Sequence, residues 1–308
     1  MKAILPTCLL GALAFFVVAQ NPAGEQAPPD ALAKIQEAIP EKPFAKPKKA
    51  RKLLVFSRTN GFRHASIATG KIAFTEIGKK TGAFETTVSD DLSNFEPANL
   101  KKFDGVVFLN TTGNPFAPTK DESAAMSEDE KKKAQELQVK LQDSLGAFVK
   151  GGGAFIGIHS ATDTFYDWPE YGEMINGYFD GHPWGSGTQV SIKVEPGQEK
   201  HPLAAMFEGQ NLDFKEEIYQ LKTPYDSKAV EMLLRLDPEK SDMNVQGLKR
   251  DDKDWGVAWV RNWQKGRVFY CSLGHNNEMY WNPKVVRHYL AGIQWALGDF
   301  DVKLAKGK

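Results

Sequence analysis

Short apolar runs, rich in β-branched and aromatic residues, recur through the middle of this chain, and each closes on a polar loop. Leu53-Leu54-Val55-Phe56-Ser57 leads into Arg58-Thr59-Asn60-Gly61, Gly105 to Leu109 leads into Asn110, and Ala154 to Ile158 leads into His159. A strand that is apolar at every position must be covered on both faces, which is the condition of a parallel sheet held between helices. The segments between fit that frame. Ser66 to Lys80 carries Ile67, Ile72, Phe74 and Ile77 at roughly helical spacing and stops at Thr81-Gly82, and a second strand follows at Phe84 to Val88. Ser127-x-x-Glu130 is a capping box, opening a long helix that ends at Gly151-Gly152-Gly153. The expected fold is therefore α/β, a doubly wound, mostly parallel sheet.

Beyond residue 180 the pattern changes. Thr188 to Glu195, Leu212 to Leu221, Ala229 to Leu236, Trp255 to Trp263 and Arg267 to Leu273 read as strands with few helices between them, so antiparallel strands are expected at the sheet edge. A final helix, Pro283 to Leu297, opens on proline and packs through Val286, Leu290, Ile293 and Trp295. The polar stretch Asn114 to Asp129 reads as an insertion, either a lid or a solvated surface loop.

The ends divide off by composition. Lys2, the apolar stretch Ile4 to Val18 and the small-residue site at Val17-Val18-Ala19 have the layout of a secretory signal peptide over residues 1–19, so an exported, periplasmic or extracellular protein is expected. That stretch is too short to span a bilayer, and no later one is long enough. Residues 20–52, rich in Pro, Ala, Glu, Gln and Lys, are expected to be a disordered linker, followed by one domain at 53–300 and a tail at 301–308. The basic run Lys46, Lys48, Lys49, Arg51, Lys52 lacks interleaved aromatics. With 39 basic against 39 acidic residues in the whole chain, nucleic acid is not an expected partner. Past the leader Cys271 is the sole cysteine, so stability must come from packing without an intrachain disulfide.

Histidines gather in the loops after the strands. Arg63-His64 follows the first strand, His159-Ser160-Ala161-Thr162-Asp163 follows Gly157-Ile158, Gly181-His182-Pro183-Trp184 follows a short helix around Tyr171 to Asn176, and Gly274-His275 follows Cys271-Ser272-Leu273. In open parallel sheets ligands bind beyond the carboxyl ends of the strands, where imidazole serves as acid, base or metal ligand. His159 takes the projecting position of a strand-to-helix elbow, one residue before Ser160, and Asp163 is placed to orient its ring. Glu216-Glu217-Ile218-Tyr219 lies in an alternating strand, so one of its two carboxylates should face inward, Glu217 being the candidate. Trp184 and Trp281, among aromatics near these loops, suit packing against sugar rings. His201 and His288 read as structural.

Together Arg63-His64-Ala65-Ser66-Ile67, Gly157 to Asp163, Gly181 to Trp184, Glu217-Ile218-Tyr219 and Gly274-His275 resemble the ThuA-like (trehalose utilisation) family, over about Lys52 to Gly298. The resemblance implies a flavodoxin-like, class I glutamine amidotransferase-like fold and a role in carbohydrate utilisation beside a sugar oxidoreductase that makes 3-keto-disaccharides. The elbow lacks the amidotransferase cysteine, which removes glutaminase chemistry. The expected function is conversion of an oxidised sugar with His159, His275 and Glu217 as catalytic groups. Arg63, His64, Asp163, His182, Trp184 and Trp281 would line the substrate, and His64, His159, His275 and Glu217 are candidate ligands of a divalent metal. A non-catalytic carbohydrate-binding protein and a Ser160 esterase or amidase are the alternatives.

Overall fold

The computed structural model describes residues 26–304, so the leader reading for residues 1–19 lies outside the described residues, as do the first part of the linker and the last residues of the tail. Helix α1 (Ala31–Ala38) precedes β1 (Lys52–Phe56), α2 (Ile67–Thr81), β2 (Glu85–Val88), the single turn α3 (Pro97–Leu100) and β3 (Gly105–Leu109). Then come α4 (Lys120–Ala125), α5 (Glu128–Lys150), β4 (Ala154–Ile158), α6 (Pro169–Ile175), β5 (Tyr178–Phe179), β6 (Gln189–Val194) and β7 (Leu212–Lys215). The chain ends through β8 (Leu221–Lys222), β9 (Glu231–Leu236), β10 (Gly256–Trp263), β11 (Gly266–Cys271) and α7 (Pro283–Ala296).

A nine-stranded sheet runs in the order β2-β1-β3-β4-β11-β10-β9-β6-β7. Its first part, β2 through β11, is parallel, and the remaining neighbours are antiparallel, as the two halves of the sequence imply. Alternate residues of each central strand enter opposite faces. Leu53, Val55, Val107, Ile156 and Phe269 pack with α2 and α7, whereas Leu54, Phe56, Phe108, Phe155 and Val268 pack with residues of α5 and α6. The chain leaves β1 toward β2 on one side and returns to β3 on the other, so the strand order reverses between β1 and β3. That switch point opens a crevice at the carboxyl edge, where the loops carry the histidines.

Two expectations need correction. Residues 26–52 are not a free linker: Ala31, Ile35, Ala38 and Ile39 are buried in the core, and the following arm is tied down. Gln294 exchanges two hydrogen bonds with the Ala45 backbone, and Arg51 pairs with buried Asp299 at 2.7 Å. The apolar residues are few but spaced on one helical face, so they cover α2 despite a polar average composition. Ile35→Ala is expected to cost about 2–4 kcal/mol, read as a lower denaturant midpoint; an unchanged midpoint would mean the arm is dispensable. Second, Leu212 to Leu221 is not one strand. It leaves the large sheet at Lys215, and Leu221-Lys222 pairs with β5 in a separate ribbon.

Candidate metal and acid–base centre

Because β1, β4 and β11 are mutually parallel within one sheet, the loops after them share an edge, and the three histidines on those loops converge. One ring nitrogen each from His64, His159 and His275 and one carboxylate oxygen of Glu217 all lie within 4.8 Å of one another. The His64 ring centroid stands 4.7 Å from that of His159 and 5.0 Å from that of His275, nearly perpendicular to both.

His159 sits at φ +50° immediately after β4, a left-handed conformation uncommon outside glycine, which turns its side chain out of the sheet. Small neighbours make the turn possible: a Cβ on Gly157 would lie 3.1 Å from that of Ala161. His159 is fully buried. Its Nδ1 lies 2.8 Å from the Ser272 carbonyl, which can only accept, so Nδ1 carries the proton and Nε2 keeps its lone pair. Toward Nε2 come the Tyr219 hydroxyl at 3.0 Å and Glu217 Oε2 at 3.6 Å. Asp163 was expected to orient this ring. The Ser272 carbonyl does so instead, and the Asp163 carboxylate accepts from the Tyr166 hydroxyl.

Glu217 is the hub. Its Oε2 faces His159 and touches His275 Nδ1, while Oε1 lies 3.1 Å from Nδ1 of the half-exposed His182. Burial alone would raise this carboxyl, but the facing imidazoles of His159 and His275 more than offset it and hold Glu217 well below the usual carboxylate range. His275 is raised by the same carboxylate against its own burial. His275 Nδ1 touches the carboxylate without the alignment of a hydrogen bond. Burial, with His159 and His275 adding, drives His64 down to about 2, and burial also lowers His159. Both imidazoles therefore keep the neutral form that can donate a lone pair.

Both carboxylates of the Glu216-Glu217 pair turn inward, contrary to the alternation argument, because the ladder has ended at Lys215. Glu216 Oε1 accepts from the Gly274 and His275 backbone N–H groups at 2.9 and 2.6 Å, and its Oε2 accepts from that of Asn276 at 3.0 Å. It thus clamps the loop that carries His275. Burial pushes its carboxyl up to about 7, against those three donors. Asn110, after β3, donates to Ser66 Oγ and the Gly274 carbonyl, both at 3.0 Å, and so ties the loops of His64 and His275 together.

Other candidates fall elsewhere. Trp184 is fully buried and donates to the Asp242 carbonyl at 2.7 Å, so it has no open face for a sugar. Trp281 is partly buried against the core, with the Lys34 ammonium 4.9 Å from its ring centre. Arg63 donates to the Ser57 carbonyl at 3.1 Å and so braces its own loop. Ser160 is fully buried, 3.4 Å from His64 Nδ1, a poor position for an esterase nucleophile. Cys271 is fully buried in β11, its thiol pushed up to about 12 by burial, and is inert. His201 and His288 bond the Leu203 backbone.

Sequence reasoning passed over Tyr219 and Phe62. Tyr219 shares a side with Glu217 by local alternation, and burial keeps its phenol protonated, well above the ordinary value. Phe62 is 66 % exposed with its ring edge-on to His64 at 4.8 Å; an apolar residue beside Arg63-His64 in a polar loop was its only signal.

A model of the family described as trehalose utilisation, ThuA, matches residues 52–296. No curated protein gives a significant match. Among solved structures, a ThuA-like protein of Bacteroides uniformis ATCC 8492 is 21 % identical with a TM-score of 0.60, the match covering 82 % of this chain and 94 % of the other. A ThuA-like protein of Parabacteroides merdae ATCC 43184 is 17 % identical with a TM-score of 0.54, over 84 % and 94 % of the two chains. At these identities the likeness concerns the fold, which is the flavodoxin-like one. The match to the family model over most of the chain goes further, and it supports a role in carbohydrate utilisation: the chain belongs to the ThuA, or trehalose utilisation, family.

Proposed function

We propose that this protein binds one divalent transition metal through His64, His159, His275 and Glu217 and uses the centre to convert an oxidised sugar. The observation that carries the reading is the convergence of these four ligand atoms within 4.8 Å at the carboxyl edge of the sheet. Imidazole nitrogens with a single carboxylate suit zinc and its first-row neighbours, and the paired second partners, Ser272 on His159 and His182 on Glu217, are the kind that orient metal ligands. A bound ion would polarise a carbonyl and stabilise an enolate.

The side chains divide the remaining work. His182, half exposed beside Glu217, stands where it can take a proton from the carbon next to a ketone, and the protonated Tyr219 can donate to the oxygen that gains charge. Phe62 offers an open aromatic face beside His64 for the C–H face of a sugar ring. A 3-keto sugar fits this chemistry because its ketone acidifies the neighbouring carbon. The N-terminal apolar segment supports an exported location, and a sugar oxidoreductase is the partner that would supply such a ketone.

Elemental analysis of the purified protein is expected to give one metal per chain, lost in His275→Ala and Glu217→Gln. His275 is partly exposed, so its replacement should leave the fold standing. Metal-free wild-type protein would remove the metal from the proposal. Sugar binding without turnover that survives loss of His275 would favour a non-catalytic carbohydrate-binding role.

A further inference from the structure

We infer that the insertion before α5 builds a second ligand groove, separate from the histidine centre, for a neutral polyhydroxylated ligand such as a saccharide. The groove holds about 490 Å³ between the insertion and α5, and its lining includes Asn114, Ser123, Gln135, Gln138, Gln142 and Asp167. That volume is in the range of small-molecule sites.

The lining is chemically selective. Elsewhere the exposed surface of α5 is mostly charged, with Lys132, Lys133, Glu136, Lys140 and Asp143 beside an exposed Leu137. Along the groove the helix instead presents Ala134, Gln135, Gln138 and Gln142, which share a face by their spacing of three and four. Lys131, also in the lining, is paired with Glu128 at 2.8 Å, which leaves Asp167 as the remaining charged group.

Gln142 is the most buried amide of that face. The residue is 9 % exposed and lines the groove, where its amide is open to a ligand. An amide both donates and accepts, so it matches a ligand whose hydroxyls do the same. Asn114 accepts from the Phe116 and Ala117 backbone through Oδ1, which leaves its Nδ2 available to the groove. Several neutral amides beside the apolar Val139 and Pro118 match hydroxyls alternating with C–H faces. An extended peptide is less well served, since no sheet edge lines the groove to pair with its backbone. The groove is nevertheless tied to the catalytic rim. Gly113, beside Asn114, exchanges backbone hydrogen bonds with Asp163 and Phe165 at 2.8 Å, in the segment that runs on to Asp167.

The test is calorimetric titration of the full chain with trehalose and with maltotriose, using Gly-Ser peptide as the control probe. His275→Ala protein serves as the background, so that a failed metal proposal does not affect the result. Saccharide binding should persist in that background and weaken at least about tenfold in Gln135→Ala/Gln138→Ala and in Gln142→Leu. The first variant changes only exposed or half-exposed positions, so it tests the groove even if Gln142→Leu does not fold. Saccharide binding unaffected by both variants, binding of the peptide alone, or no saccharide binding in the His275→Ala background would each overturn the inference.

Discussion

Glu216→Ala is expected to destabilise the protein by about 3–5 kcal/mol and to lower its melting temperature by roughly 6–15 °C. The carboxylate holds three successive backbone N–H groups of the Gly274 to Asn276 loop in a setting where water cannot replace it, since Glu216 is fully buried. Removing it leaves three backbone donors without their acceptor, that of Gly274 buried and those of His275 and Asn276 partly buried, and a void beside them. Glu216→Gln keeps one acceptor oxygen and should recover part of the loss. Calorimetric melting of the three proteins checks the order wild type, Gln, Ala; equal melting temperatures would show that water or loop movement satisfies the donors. The same loop carries His275, so metal retention should weaken along the same series.

The second large effect is thermal stabilisation by metal. A ligand at 100 times its Kd, binding only the folded chain, adds about 2.7 kcal/mol. Protein stripped with chelator should therefore melt several degrees lower than protein given back excess Zn²⁺ or Mn²⁺, and the difference should vanish in Glu217→Gln. Loss of Glu217 removes the one anion among His159, His182 and His275. A metal-dependent rise that persists undiminished in Glu217→Gln would place the ion elsewhere.

The parallel half of the sheet was legible because burial on both faces leaves continuous apolar runs, and the edge that gathers the histidines followed from strand direction alone. Strand direction assigned the loops of His64, His159 and His275 to one rim; that their ring nitrogens meet is a finding of the structure. Their partners were harder to see. Which group orients His159 depends on the Ser272 carbonyl, a backbone atom that no side-chain pattern reports. The inward turn of both Glu216 and Glu217 depends on where the ladder stops, and pairing partners distant in sequence set that point. Trp184 looked like a sugar platform because tryptophan near a polar loop reads the same whether it faces water or core. Its burial against Trp255 is decided by the antiparallel half, whose strand order the sequence did not reveal. The arm at 26–52 was misread for a related reason: composition averages away a few apolar residues that happen to share one face.

The positive φ at His159 determines which replacements there can be interpreted. Asparagine, aspartate and glycine tolerate that backbone, whereas valine and isoleucine do not. In a saturation library the β-branched variants would fail for steric reasons unrelated to imidazole chemistry. Alanine, for its part, would strand the Tyr219 hydroxyl and the Ser272 carbonyl. Asparagine preserves the turn, offers a donor and an acceptor to those same groups, and lacks the ring nitrogen, so His159→Asn is the substitution that separates what this residue does for the fold from what it does for the site.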